Sequence, residues 1–179
     1  MSFSLIVPSV KIEKVKIRLA REYDLAAMEW NGEFSKFRKI YARCFEQMKK
    51  LRGLIWVAEY QPYGIIGQAL VNFTGQRTDW ADGKNRAYLH GFRVKPQFRH
   101  AGIGSLLLRT LEADLRSRGF SAITLTVARD NYAAQRLYQS NHYEIKGEEP
   151  GNWSYTDQYG NYQEVHEPAY LMSKDLSLL

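Results

Sequence analysis

The chain has 179 residues, 45% of them hydrophobic and 25% charged, and a formal net charge of +6. That size and balance suit one soluble globular domain (1–179) with a sizeable core, and no stretch approaches membrane-spanning length. The positive excess favours anionic ligands, yet no Lys/Arg run is dense enough to read as a nucleic-acid tail.

The single Cys44 cannot form an internal disulfide and suits a reducing cytoplasm; within a helical pattern it reads as packing, not as a nucleophile. The apolar stretch Phe3 to Val7 is too short for a signal-peptide core and has no basic residues before it, so no export is expected.

In chain order, Val15 to Ala20 reads as a strand, and Glu22 to Trp30 and Phe34 to Lys50 as helices interrupted near Asn31-Gly32. Phe34, Phe37, Tyr41, Phe45 and Met48 recur at helical steps, an aromatic stripe that suits the core or one wall of a cleft. Leu54 to Tyr60 and Ile65 to Phe73 alternate as strands around the turn Gln61 to Gly64, and Thr74 to Arg86 is a polar loop. A strand over Ala87 to Val94 then leads through glycines into a helix to about Arg118, with Gly119 as its C-terminal cap. Ala122 to Val127 is the next strand. A helix after Asn131 and two last strands, Tyr143 to Lys146 and Ala169 to Met172, complete the pattern. Between those strands lies a long aromatic and polar segment. This order specifies an α/β sandwich with a mixed central sheet flanked by helices, not a doubly wound fold.

The turn Arg99-His100-Ala101-Gly102-Ile103-Gly104-Ser105 stands between strand and helix. A helix mouth exposes unpaired N–H groups, its dipole is positive there, and glycines leave room for a phosphate. No Lys follows Gly104, which excludes a nucleoside-triphosphate loop, and the third glycine of a dinucleotide fingerprint is absent. About thirty residues on comes Asn131-Tyr132-Ala133-Ala134-Gln135-Arg136-Leu137-Tyr138, with Asn131 or Asp130 placed to cap the helix.

Arg99-x-x-Gly102-x-Gly104 and Asn131-x-x-Ala134-x-x-Leu137-Tyr138, in this order, resemble the coenzyme A motifs of the GNAT N-acetyltransferase superfamily. The resemblance is strong over about residues 87–145. It implies an acyl-CoA N-acyltransferase fold and acetyl-CoA as acyl donor, with no metal. It places the pyrophosphate on the turn from Arg99 to Ser105, and the pantetheine along Asn131 and Ala134. The strand residues Phe92, Arg93 and Val94 then lie beside the thioester, and the Tyr138 hydroxyl points at the sulfur. Gly91, within an apolar strand, marks a bulge that would free backbone amides for the acetyl carbonyl, or else merely relieves crowding.

The base is less determined. Where many relatives carry a Glu, this chain has Thr126, which cannot take a proton at neutral pH. Leu89-His90-Gly91-Phe92-Arg93-Val94 resembles the His-bearing strand of arylalkylamine acetyltransferases, which makes His90 the candidate base. Glu59 and Glu33 are weaker candidates. The family's usual Gly-Phe after the Asn helix is His142-Tyr143 here, so Asn141 or His142 must take the left-handed conformation.

Trp30, Phe34, Trp153 and Tyr155 are candidate acceptor contacts, and Asp157, Glu164 or Glu167 could pair with an amine's charge. The plainer alternative for residues 153–167 is a hairpin whose aromatics pack on the sheet. The acceptor stays open between a small primary amine and a polypeptide amine, and a homodimer stays open too. A coenzyme-binding regulatory module with little turnover is the alternative to an enzyme.

Overall fold

A computed structural model describes residues 9–177, so Phe3 to Val7 lies outside the described residues. Seven strands form one sheet in the order β1-β2-β3-β4-β5-β9-β6. They are β1 (Lys16–Leu19), β2 (Gly53–Tyr60), β3 (Gly64–Asn72), β4 (Arg86–Val94), β5 (Ala122–Ala128), β6 (Glu144–Glu149) and β9 (Ala169–Asp175). Only β4 and β5 pair in parallel; the remaining pairs are antiparallel. A separate hairpin joins β7 (Asn152–Thr156) to β8 (Tyr162–His166).

Helices cover both faces. Leu54 and Trp56 of β2 pack with Leu107, Leu108, Leu111 and Leu115 of α3 (Ile103–Ser117). Ile55 and Val57 pack with Phe37, Tyr41 and Cys44 beside α2 (Arg38–Lys49). A strand buried on both sides reads as a nearly continuous apolar run, as Leu54 to Ala58 does. Cys44 is a core residue whose thiol burial pushes up to about 11. Among the described residues no helix is long and apolar enough to cross a membrane.

The first helical region is shorter than its sequence suggests. α1 covers only Asp24–Ala27, a 3-10 turn takes Ser35–Phe37, and α2 starts at Arg38. Trp30, Asn31 and Gly32 all have positive φ (46°, 59° and 98°), a left-handed run that no right-handed helix can contain.

At the other end, α4 (Tyr132–Ser140) stops with His142 at φ 68°, the residue that takes the left-handed place of the family's glycine. Asn141 keeps a negative φ (−101°) and ties the end down, donating from Nδ2 to the Leu137 carbonyl (2.8 Å) and to Ser105 Oγ on α3 (3.0 Å).

Beside this corner a charged trio lies inside the core. Lys174 Nζ is 2.6 Å from Glu112 Oε2, and the Tyr143 hydroxyl donates to Glu112 Oε1 at 2.8 Å.

Candidate active site

The site is organised by a bulge in β4. Leu70 of β3 faces His90 and Gln68 faces Arg93, so Gly91 and Phe92 together oppose Ala69 alone. Gly91 has φ 57°, and a Cβ there would stand 2.8 Å from Leu70 Cδ1. The extra residue changes which face each side chain takes. In a regular strand, positions 90 and 93 would point to opposite faces. Here Tyr88, His90 and Arg93 all line one cavity on the α2 side. Leu89 and Phe92 join the core under α3 and α4, where the Phe92 ring lies 5.9 Å from that of Tyr138.

Pairing between β4 and β5 ends at Leu89↔Leu125, although β4 runs on to Val94 and β5 to Ala128. The two strands therefore splay. Lys95 N–H donates to Ile66 O on β3 (2.8 Å), so by alternation the Val94 amide faces the splayed side. The expected bulge is present, and Phe92 lies within it.

The glycine turn follows directly. Gly102, at φ 79°, is the N-terminal cap of α3 and has no side chain to offer the first-turn amides. The first helical bond runs from Leu106 N–H to the Gly102 carbonyl (2.9 Å), which leaves the amides before Leu106 without helical partners. Arg99 Nε donates to the Val94 carbonyl (2.9 Å) and clamps the turn against the end of β4. His100 is exposed with φ 62°, and Ala101 packs beside Val94, Phe98 and Ile103. Gly104 has a packing reason of its own. A Cβ on it would stand 3.1 Å from Leu137 Cδ2, so its bareness lets α3 and α4 approach. Ser105 accepts the Asn141 bond already described.

On α4, Asn131 Oδ1 accepts from Ala134 N–H (3.2 Å) as the helix cap, and Ala134 packs against the core. Tyr138 is buried between Phe92 and Tyr143. Burial, with a smaller push from Tyr88, raises its phenol well above the ordinary value, so it remains a proton donor at any physiological pH.

The cavity has a volume of about 530 Å³. A stack of flat side chains descends into it. Arg77 lies over Trp80 (4.5 Å), Trp80 stacks on Tyr88 (4.9 Å) and Tyr88 on His90 (5.7 Å). The Tyr88 and Thr126 hydroxyls share a hydrogen bond of 2.8 Å, and Arg77 reaches across to Glu149 at 3.0 Å. His90 Nε2 is buried with no hydrogen-bond partner. Burial, reinforced by the nearby Arg43 and Arg93, lowers its imidazole to about 4.

The other sequence candidates divide. Trp153 lines the cavity, whereas Tyr155 packs edge-on against Phe37 (5.1 Å), and Phe34 and Trp30 stand behind Phe37 as a second layer. Residues 152–166 do form a hairpin: its Trp153 and Tyr155 pack on Phe37, Tyr155 joins the core cluster that also holds Ile55, Val57 and Leu70 of the sheet, and Tyr159 and Tyr162 are exposed. Asp157 is not available to an amine. Its carboxylate accepts from the backbone of Tyr159 and Asn161 (both 2.9 Å) and closes the hairpin turn. Glu59 is committed to Arg18 (2.8 Å), which holds it below the usual carboxylate range, while Glu33 is exposed in the turn before α2.

Trp80, Tyr88 and Arg77 escaped the sequence reading. The signal for Tyr88 was its place two residues before His90 on the same face. Among the described residues no group of three or more His, Cys, Asp or Glu side chains could hold a metal ion.

The profile of the acetyltransferase (GNAT) family matches residues 19–143, and the chain belongs to that family. No curated protein matches it by sequence. The ribosomal-protein-S18-alanine N-acetyltransferase from Escherichia coli superposes with a TM-score of 0.67 at 19% identity, covering 90% of this chain and 94% of that one. A ribosomal-protein-alanine N-acetyltransferase from Brucella melitensis gives 0.66 at 20% identity, covering 89% and 99%. A Salmonella typhimurium protein described as an acetyltransferase, solved with its cofactor acetyl-CoA, gives 0.68 at 17% identity, covering 90% and 94%. At these identities the likeness is one of fold: a mixed sheet flanked by helices.

Proposed function

We propose that the chain is an acetyl-CoA-dependent N-acetyltransferase, passing the acetyl group to a primary amine by direct attack in a ternary complex. The observation that carries this is the splay of β4 from β5 below Leu89↔Leu125, which opens between the Gly102 turn and the cavity holding His90. The pyrophosphate takes the first-turn amides of α3 between Arg99 and Ser105, and the pantetheine runs beside Asn131 and Ala134 into the gap.

The amides of Phe92 and Val94 polarise the thioester carbonyl. The amine enters from the cavity and loses a proton to His90, which lines that cavity as a neutral imidazole. As the tetrahedral carbon collapses, the Tyr138 phenol gives its proton to the departing thiolate. The lone, buried Cys44 supports a cytoplasmic setting for this chemistry.

Release of free thiol from acetyl-CoA, followed against a panel of amines, tests the reading. Turnover with any primary amine supports it. Coenzyme binding without turnover on the whole panel overturns it in favour of a coenzyme-sensing module, a reading favoured by Thr126 in place of a carboxylate and by an imidazole held near 4.

A further inference from the structure

Among the described residues Arg93 forms no ion pair. Its guanidinium carbon lies 4.4 Å from the Phe34 ring centroid and 4.9 Å from that of Phe37. Nη1 donates to the Tyr41 hydroxyl at 3.2 Å. Gln68 is fully buried, and one orientation of its amide satisfies all its neighbours: the oxygen accepts from Tyr41 (3.2 Å) and Arg93 Nη1 (3.3 Å), and the nitrogen donates to the Met28 carbonyl (3.2 Å). Every hydrogen-bond and ring partner of Arg93 is thus neutral, and the exposed Glu33 nearby acts on it only through its field, without an ion pair.

Among the described residues no carboxylate pairs with Arg93, and no hydrogen bond there uses its Nε or Nη2. The contrast with other arginines is sharp: Arg77, in the same cleft, is matched by Asp79 and Glu149, and Arg38, on α2 outside it, by Glu29. A half-buried guanidinium with free donors, held in place by rings and a hydroxyl, is poised for an anion from outside the chain. Because of the bulge, it faces the same cavity as His90.

We infer that the amine acceptor carries a carboxylate, which Arg93 binds while the amino group lies near His90. This rests on the acetyltransferase reading above. Two free N–H directions on one side of a planar fork suit the two oxygens of a carboxylate. The cavity of about 530 Å³, with the Arg77–Glu149 pair in its lining, has the size of a small-molecule site and suits a free amino acid or ω-amino acid more than a polypeptide end.

The test compares matched acceptors on the unmodified protein: α- and ω-amino acids, their carboxamides, and short peptides whose acidic residue adjoins the amino end. Carboxylate acceptors are expected to show kcat/KM at least about 10-fold above their amides, mainly through KM, with the free amino acids above the peptides. Peptides above free amino acids would keep the carboxylate and overturn the small-molecule part. Arg93→Gln is expected to bring the acid-to-amide ratio close to one, and Arg93→Lys to restore part of it.

Thermal stabilisation by the same ligands gives a readout independent of turnover. Stabilisation by acids and not amides, without turnover, retains the Arg93 site and removes the enzymatic reading. Turnover with equal kcat/KM for acid and amide overturns the inference and leaves the acetyltransferase. An acid-to-amide ratio that survives in folded Arg93→Gln overturns it too.

Discussion

The imidazole of His90 lies flat against the ring of Tyr88, centroids 5.7 Å apart and planes 10° apart. One side of the imidazole is thereby sealed, and its buried Nε2 is left without a partner. Neutral histidine tolerates such a place; its cation does not.

A pH dependence follows. If His90 takes the amine's proton, the acidic limb of kcat/KM should fall near pH 4 instead of near the ordinary 6.5, and His90→Gln should remove it. The folded state also binds fewer protons here than the unfolded chain between pH 6.5 and 4. Stability should therefore fall with pH through that window, by up to about 3 kcal/mol from this residue. Denaturant midpoints at pH 7 and pH 4.5 should show a shallower loss in His90→Gln.

Tyr138→Phe keeps the ring against Phe92 and Tyr143 and deletes only the donor. A kcat loss of roughly 10²-fold with little change in coenzyme affinity is expected. Steady-state kinetics beside a coenzyme titration measure both, and full activity would reduce Tyr138 to packing.

The two glycines of the turn before α3, the proposed pyrophosphate site, should fail differently. Gly102→Val must hold φ 79° with a branched side chain at the helix mouth, so coenzyme binding should be lost. Gly104→Val drives a side chain into Leu137 and should cost about 1–3 kcal/mol of stability by overpacking. Calorimetric titration with coenzyme A and chemical denaturation separate the two effects.

Lys174→Met leaves the Glu112 carboxyl, 2% exposed, facing only the Tyr143 hydroxyl. Breaking a buried pair from one side costs about 3–5 kcal/mol. Urea unfolding should register a loss of that order, and adding Glu112→Gln should recover part of it.

Trp153→Ala opens the cavity wall without touching either coenzyme motif. The KM for the amine should rise, or the ranking of amines change, while acetyl-CoA affinity holds. A selective loss of coenzyme affinity in a folded variant would contradict this placement.

The strands and the later helices were legible because their patterns are local. Ala122 to Ala128 and Arg86 to Val94 alternate or run apolar, and Asn131 and Gly119 punctuate helices in the usual way. The glycine turn before α3 was legible as a turn because it is contiguous. Residues 22–37 were not, since three consecutive left-handed residues override the helical spacing of the aromatics around them. The hairpin, the plainer of the two alternatives for this segment, has its signal in Asp157 and Gly160 with strands alternating on either side, and Asp157 closes its turn instead of facing an amine's charge. The cleft was the least legible part. Arg77, Trp80, Tyr88 and Thr126 meet only through pairing of distant strands. The facing of Arg93 depends on one inserted residue in the register, which no periodicity reports.

The β7–β8 hairpin shares no ladder with the seven-stranded sheet. It leaves and rejoins the chain at a neck where Glu167 N–H donates to the Gly151 carbonyl (3.0 Å), and it rests on the body through Phe37. A segment attached in this way is a cassette. Its length and composition can change without shifting a strand pairing in the seven-stranded sheet, so under the proposed function acceptor choice would be open to re-engineering by grafting here while the sheet and the Gly102 turn stay as they are.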